Sequence, residues 1–301
     1  MSGESRRYWT VGLLFAIAGV LCFSLRPILI KLAYRWAQDP VTLLALRMAF
    51  AAPFFVGVAF WSGRNGATVS LTRRDFVQVV VLGLISYYAA SFLDFYALQY
   101  IGAGLGRLVL FLYPTIVVLL SAVVLSRPIT ARELVALVLT YAGLALVLLQ
   151  SFGGSSKVWL GAALAMGSSV CYAVYLVAGA QVITRVGSLR FSAYAMVAAT
   201  LACLLQFVVL RPFDALRVPL PVFGYAALMA VVSTVVPVFL TAEALKRVGA
   251  NTVAIVGALG PVSTIFLGWF GLEEMLTPVQ IAGVGLVLAG VLAVTLRPGP
   301  R

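Results

Sequence analysis

The sequence predicts an all-α membrane protein of ten transmembrane helices, arranged as two inverted five-helix repeats with both termini cytoplasmic. Three observations carry this. Apolar stretches of about 20 residues, each enough to cross roughly 30 Å of hydrocarbon, recur from end to end. Of the 301 residues 63% are hydrophobic and only 10% charged, with no histidine and a net charge of +12. So little charge cannot clothe a surface that faces water. Finally, the second half repeats the first, with Ser86 recurring as Ser233 and Pro114 as Pro261 at one constant spacing.

The spans fall at 10–33, 41–61, 76–99, 103–125, 132–150, 158–182, 191–210, 222–245, 250–271 and 278–296. The first follows Arg6-Arg7 and contains Ala16-Ile17-Ala18, a pattern also found in cleaved secretory signals. Its Gly12, Ala16, Cys22 and Phe23 meet Gly161, Ala165, Cys171 and Tyr172 of the sixth span, and a removable segment would not be duplicated. The second span carries Arg47. The third follows Arg73-Arg74 and carries Asp94, and the fourth opens on Gly102-Ala103 and contains Pro114. Fifth, sixth and seventh spans open beside Arg132, Lys157 and Arg190, the eighth follows Arg217, and the ninth opens at Ala250 and contains Pro261. The tenth has Gly283, Gly285 and Gly290, a small-residue face suited to packing within the chain or to pairing two copies.

With the N-terminus inside, about thirteen of the 21 Lys and Arg residues fall on the cytoplasmic side, among them Arg64, Arg127, Arg185, Lys246, Arg247, Arg297 and Arg301. About five fall outside: Lys31, Arg35, Lys157, Arg211 and Arg217. Five spans per half is an odd number, so the second half (153–301) enters the membrane with the opposite polarity to the first (1–152).

The stretch "YIGAGLGRLVLFLYP" invites reading as a phosphate-cradling loop. Its counterpart, "RVGANTVAIVGALGP", replaces Gly104 and Gly106 by Asn251 and Val253, and neither copy follows a strand. Only Gly102-Ala103 recurs, as Gly249-Ala250, which reads as a tight link between helices.

The paired "ALQYIGA" and "ALKRVGA" links, the small-residue first spans with Cys22-Phe23 and Cys171-Tyr172, Arg47 in the second span, and Pro114 and Pro261 together resemble the drug/metabolite transporter superfamily. The resemblance is to its ten-helix type with two EamA-like repeats, more narrowly to YddG-like amino-acid exporters, and covers about residues 10 to 296. It implies an exporter of small metabolites in a bacterial inner membrane, with a central cavity between the repeats.

Ionisable groups well inside spans are Arg26, Arg47, Asp94, Arg107 and Glu243. Such groups are costly in lipid and face the protein interior. The first four fall in the outer third, where surplus positive charge would hold a substrate carboxylate. The structural alternative ties Asp94 to Arg107 and lets Arg26 and Arg47 reach headgroups or water; the tie is favoured. Glu243 has Lys246 and Arg247 at i+3 and i+4, the spacing of a local salt bridge.

Tyr87, Ser91 and Asp94 share one helical face, and Ser168, Tyr172 and Tyr175 make a similar stripe. Tyr113 precedes Pro114, which frees a backbone carbonyl. Such hydroxyls and rings suit a small amphipathic solute, by stacking and hydrogen bonding; helix packing is the alternative for each. Tyr8, Trp9, Tyr34, Trp36 and Trp159 read as an interfacial belt.

The expected function is secondary export of small metabolites, namely amino acids with aromatic or other hydrophobic side chains, by alternating access, as a monomer or homodimer whose partners are the solute and the bilayer. A multidrug or cationic-solute exporter of the same fold would want embedded carboxylates. An intramembrane lipid-modifying enzyme has neither HExxH nor G-x-S-x-G to support it, so no enzyme is expected. No G-x-x-x-x-G-K-[ST] sequence is present to bind ATP. Basic residues in ones and twos make no nucleic-acid stripe. Cys22, Cys171 and Cys203 lie in apolar runs without CxxC spacing, so neither metal nor cofactor is expected.

Overall fold

The computed structural model describes residues 3–64, 72–124, 126, 128–151, 157–257 and 259–295, and every regular element among them is helical. The first half comprises α1 (Gly3–Ser24), α2 (Arg26–Tyr34), α3 (Pro40–Arg64), α4 (Arg73–Gly83), a π turn (Leu84–Ala89), α5 (Ala90–Ala97), α6 (Ala103–Leu110), α7 (Tyr113–Val124) and α8 (Ala131–Ser151). The second comprises α9 (Lys157–Val186), α10 (Ser188–Leu210), a short 3-10 turn (Phe213–Leu216), α11 (Leu220–Ala230), a second π turn (Val231–Val235), α12 (Val236–Gly257), α13 (Leu259–Leu272) and α14 (Pro278–Thr295). Arg127, Arg297 and Arg301 lie outside the described residues, as do the side chains of Arg6, Arg64 and Lys246.

Eight helical stretches among the described residues, from Arg7–Tyr34 to Leu220–Thr241, are long and apolar enough to cross a membrane. The ten expected full-length spans are therefore not all present as single helices: Leu259–Leu272 and Pro278–Ala293 are shorter. The ninth is short because helical hydrogen bonding continues from α12 to Gly257, past the expected link at Gly249-Ala250. Yet the chain reverses between Val248 and Gly260. Gly12 of α1 lies against Arg247 and Val248, while a Cβ on Gly260 would lie 3.8 Å from Val20. A straight antiparallel helix would carry residue 260 away from Val20 at about 1.5 Å per residue.

Prolines interrupt two of the spans. Pro27 cannot donate to the carbonyl of Phe23, and the first span, expected to be continuous, breaks at Leu25 into α1 and α2. Pro114 likewise splits α6 from α7 and deprives the Leu110 carbonyl of its helical donor.

Both halves start their last helix with the same device. Thr130 and Glu133 cap α8 reciprocally, the Glu133 carboxylate accepting from the Thr130 N–H at 2.8 Å. Thr277 and Gln280 do so for α14, at 2.9 and 3.2 Å. The π turns also correspond: Ser233 donates to the Met229 carbonyl at 3.0 Å, whereas the Ser86 hydroxyl is buried without a partner among the described residues.

Packing is pairwise between the halves. α1 lies along α12, α5 along α9, α3 along α10, α6 along α13 and α8 along α14. In the last pair a Cβ on Gly143 would sit 2.5 Å from the Gly283 carbonyl oxygen, so the two backbones touch. Gly290 meets Thr140 and Ala136 of α8, whereas a Cβ on Gly285 would point away from other helices, with no described atom beyond its own helix within 4 Å. One core gathers Leu44, Met48, Phe95 and Met196, another Leu108, Leu112, Val147 and Val287. Large apolar side chains such as Val123 and Phe270, each 81% exposed, face outward, as lipid-facing residues do.

Asp39 opens α3, accepting from the Val41 N–H at 3.2 Å and the Thr42 hydroxyl at 2.5 Å. Arg211, just past α10, grips it through Nε at 2.8 Å and Nη2 at 2.9 Å. Burial works to raise the Asp39 carboxyl, but the hydrogen bonds from Arg211 and Thr42 outweigh it and hold its pKa below the ordinary value. A depressed carboxyl contributes stability above its unfolded pKa and loses it as pH falls through the folded one. The melting temperature should therefore drop on acidification through that range, and Asp39→Asn should be less stable at pH 7, by about 1 kcal/mol or less for a partly exposed pair, and lack this component of the acid-dependent fall.

Candidate functional site

The two proline breaks place polar and charged groups midway along apolar helices. At the first, Arg26 opens α2, and its Nη2 donates to Asp94 Oδ2 of α5 at 2.7 Å. Both partners are buried. The expected tie between Asp94 and Arg107 is thus replaced by one between Asp94 and Arg26: the break at Leu25 brings α2 and its first residue against α5.

Arg107, in the last turn of α6, lies with its Cζ 4.5 Å from the centre of the Phe23 ring, and the Cζ of Arg26 lies 4.6 Å from the same ring. Cations are attracted to ring faces at such distances. Arg107 forms no ion pair among the described residues, and its Nε is buried without a hydrogen-bond partner. Its guanidinium fits because residue 260 is glycine; a Cβ there would lie 3.3 Å from Nη2.

Arg47 does not reach headgroups or water. It is 2% exposed, with its Cζ 5.3 Å from the Phe95 ring centre and its Nε and Nη1 unpartnered.

Four tyrosines form a continuous chain beside these charges. Tyr113 and Tyr172 have ring centres 4.8 Å apart, Tyr172 and Tyr175 5.7 Å, and Tyr175 and Tyr87 5.8 Å. Tyr113 and Tyr172 lie within electrostatic reach of Arg107. Tyr87 sits inside the first π turn, which resets the helical register, so the predicted face of Tyr87, Ser91 and Asp94 is not a regular α-helical one.

Of the two serines, one is occupied elsewhere. Ser168 donates to the Ala90 carbonyl at 2.8 Å, and Ser91 is buried. Ser169, which the sequence pattern did not single out, donates at 3.0 Å to the Leu110 carbonyl that Pro114 had freed. That carbonyl therefore ties α7 and α6 to α9. Ser24 of α1 donates to the Gly260 carbonyl at 3.2 Å and accepts through its own carbonyl from Thr264, also at 3.2 Å.

Glu243 accepts from Arg247 at 3.4 Å, as its spacing predicts, and the Arg247 Cζ lies 4.9 Å from the Tyr8 ring. Tyr34 leaves the interfacial belt: it is buried and donates to the Phe95 carbonyl at 2.7 Å. Tyr8, Trp9, Trp36 and Trp159 are exposed.

The glycine stretch is settled by Glu274, a residue the sequence did not bring forward. Gly102 is extended, with ψ of 159°, and α6 begins at Ala103. The Ala103 N–H donates to Glu274 Oε1 at 3.0 Å and the Gly104 N–H to Oε2 at 3.3 Å. An anion does sit at this helix N-terminus, and it is the chain's own carboxylate. A Cβ on Gly102 would come within 2.8 Å of Oε2, so glycine is required for that approach.

Broken helices that bring charges and rings together midway through an apolar bundle are an architecture of membrane transporters. Comparison with known proteins identifies which. The model of the EamA-like transporter family matches residues 10–149 and 159–296. The uncharacterized transporter YcbK of Bacillus subtilis is 30% identical over 96% of this chain and 95% of its own. The threonine/homoserine exporter RhtA of Escherichia coli is 27% identical over 70% of this chain and 69% of its own. A solved crystal structure superposes with a TM-score of 0.64 at 18% identity, covering 95% of this chain and 98% of that one, which shows the shared fold. The chain belongs to the EamA-like transporter family and is a membrane transporter.

Proposed function

We propose that this transporter exports amino acids across a bacterial inner membrane by alternating access, and that the solute binds among Tyr87, Tyr113, Tyr172 and Tyr175. The observation that carries the reading is the chain of four rings running up to an unpaired guanidinium at the helix breaks. Aromatic faces accept an apolar side chain, and hydroxyls and a cation accept polar ends. Ser168 ties α9 to α5 through the Ala90 carbonyl, and Ser91 is buried on α5. The relationship to a threonine/homoserine exporter supports the amino-acid class.

The chain crosses the membrane ten times in two inverted halves, with both termini cytoplasmic. Two packing features support this: the reversal between Val248 and Gly260, and the pairing of helices. Exchanging the halves turns the α1 and α12 pair into the α9 and α5 pair and leaves the α3 and α10 pair and the α8 and α14 pair unchanged, as a two-fold axis requires. Two similar packings of one such bundle open it to one side and then the other. Gly283 and Gly290 are used against α8 and so offer no face for pairing two copies, which favours a monomer over a homodimer. A cationic substrate is disfavoured: Asp94, the one carboxylate described at the breaks, is already held by Arg26.

Counterflow of labelled amino acids in liposomes tests the reading. Saturable exchange is expected, and Tyr172→Ala and Tyr87→Ala should each lower it about tenfold or more while the proteins stay folded. Normal exchange by both variants would remove the tyrosines from the site, and no amino-acid exchange by the wild type would remove the substrate class.

A further inference from the structure

We propose that Arg107 is the anchor for the substrate's carboxylate, and so selects solutes bearing that group over their amides and amines. The inference rests on the amino-acid reading above and assigns the end of the molecule that is recognised. Three arginines stand near the helix breaks, and the geometry separates them. Arg26 is neutralised by Asp94 at 2.7 Å. Arg47, 2% exposed, is sealed against the Phe95 ring. Arg107 alone of the three is both half-buried and without an ion pair among the described residues.

Its surroundings form a seat. Phe23 supports the guanidinium at 4.5 Å, Gly260 leaves room beside Nη2, and the Tyr113 and Tyr172 rings stand within electrostatic reach. A guanidinium is a planar fork matched to a carboxylate, and one unpaired positive charge balances one monoanion. Asp94 also lies within electrostatic reach of Arg107 but is bonded to Arg26, and an intramembrane cation without an ion pair of its own is costly to maintain for structure alone. A ligand that supplies the counter-ion removes that cost when it binds.

The test uses the full chain in detergent and in liposomes, with L-threonine and L-phenylalanine, their amides, and the corresponding decarboxylated amines as probes. In detergent the two acids should raise the melting temperature of the wild type and the amides and amines should not. Arg107→Gln should weaken acid binding about tenfold to a hundredfold, the loss expected for hydrogen bonds to a charged group, without lowering the melting temperature of the unliganded protein. Arg107→Lys keeps the charge and serves if the glutamine variant fails to fold. It should bind acids several-fold more weakly than wild type because an ammonium has no fork.

Acids and amides binding alike, no acid binding to the wild type, or undiminished acid binding by a folded Arg107 variant would each overturn the anchor. Liposome exchange separates the two claims. Arg107-dependent binding without any amino-acid exchange removes the export reading and leaves the anchor, whereas equal exchange of acids and amides removes the anchor and leaves export.

Discussion

Asp94→Ala should destabilise the folded protein by about 3–5 kcal/mol, the cost of leaving a buried guanidinium without its partner. Asp94 and Arg26 are 4% and 8% exposed and meet at 2.7 Å, so water cannot replace the missing carboxylate. The double replacement Arg26→Met with Asp94→Leu should recover most of the loss, since apolar residues of similar volume often match a buried ion pair in stability. Thermal unfolding of the two variants in detergent checks both statements. If Asp94→Ala melted like the wild type, the pair would not be holding α2 against α5.

The second large effect concerns α8 and α14. Gly283→Leu should abolish or sharply reduce the yield of monodisperse protein, because the first added carbon already lies 2.7 Å from the Gly143 carbonyl oxygen. Backbone cannot step aside as a flexible side chain can. Overpacking in a filled interior costs about 1–3 kcal/mol, and more where backbones must separate. Gly285→Leu, two residues away and facing open space, should express and melt as the wild type does. Size-exclusion profiles of the two variants make the comparison within one helix. Equal behaviour would mean that α8 and α14 do not pack as described.

Much of the helical architecture was legible because membrane helices announce themselves by length and hydropathy. Lipid offers the backbone no partners, so long apolar runs have one structural answer. The duplicated Thr130 and Thr277 caps could be read for the same local reason, being contained within four residues. The interruptions were harder. Pro27 lies inside the expected first span, where a break and a mild kink look alike in sequence, and the π turn at Leu84–Ala89 has no composition of its own.

Side-chain partners were less legible still. The four tyrosines, drawn from three different spans, do come together, because each faced inward on its own helix. The partner of Asp94 depended on the relative placement of α2, α5 and α6, which no periodicity encodes. Tyr34 looked like a belt residue because it sits at a helix end beside Trp36, yet the reach of its hydroxyl to Phe95 is a tertiary fact. Glu274 was invisible for a similar reason: its contact joins residues 171 and 170 positions apart.

The link made by Glu274 has no twin. The equivalent position in the first half is Arg127, a cation, and the second-half counterparts of Gly104 and Gly106 are Asn251 and Val253. On the rocking mechanism proposed above, two equal halves would leave the two end states isoenergetic. This chain instead fastens the start of α6 to the link between α13 and α14 with two charge-assisted hydrogen bonds that have no sequence counterpart in the other half. Bonds of that kind are worth about 1.5–3 kcal/mol each, so even one corresponds to a population ratio of roughly ten to a hundred. On that mechanism the idle protein would be poised in one state, and a solute would turn it over only to the extent that it binds the other state more tightly.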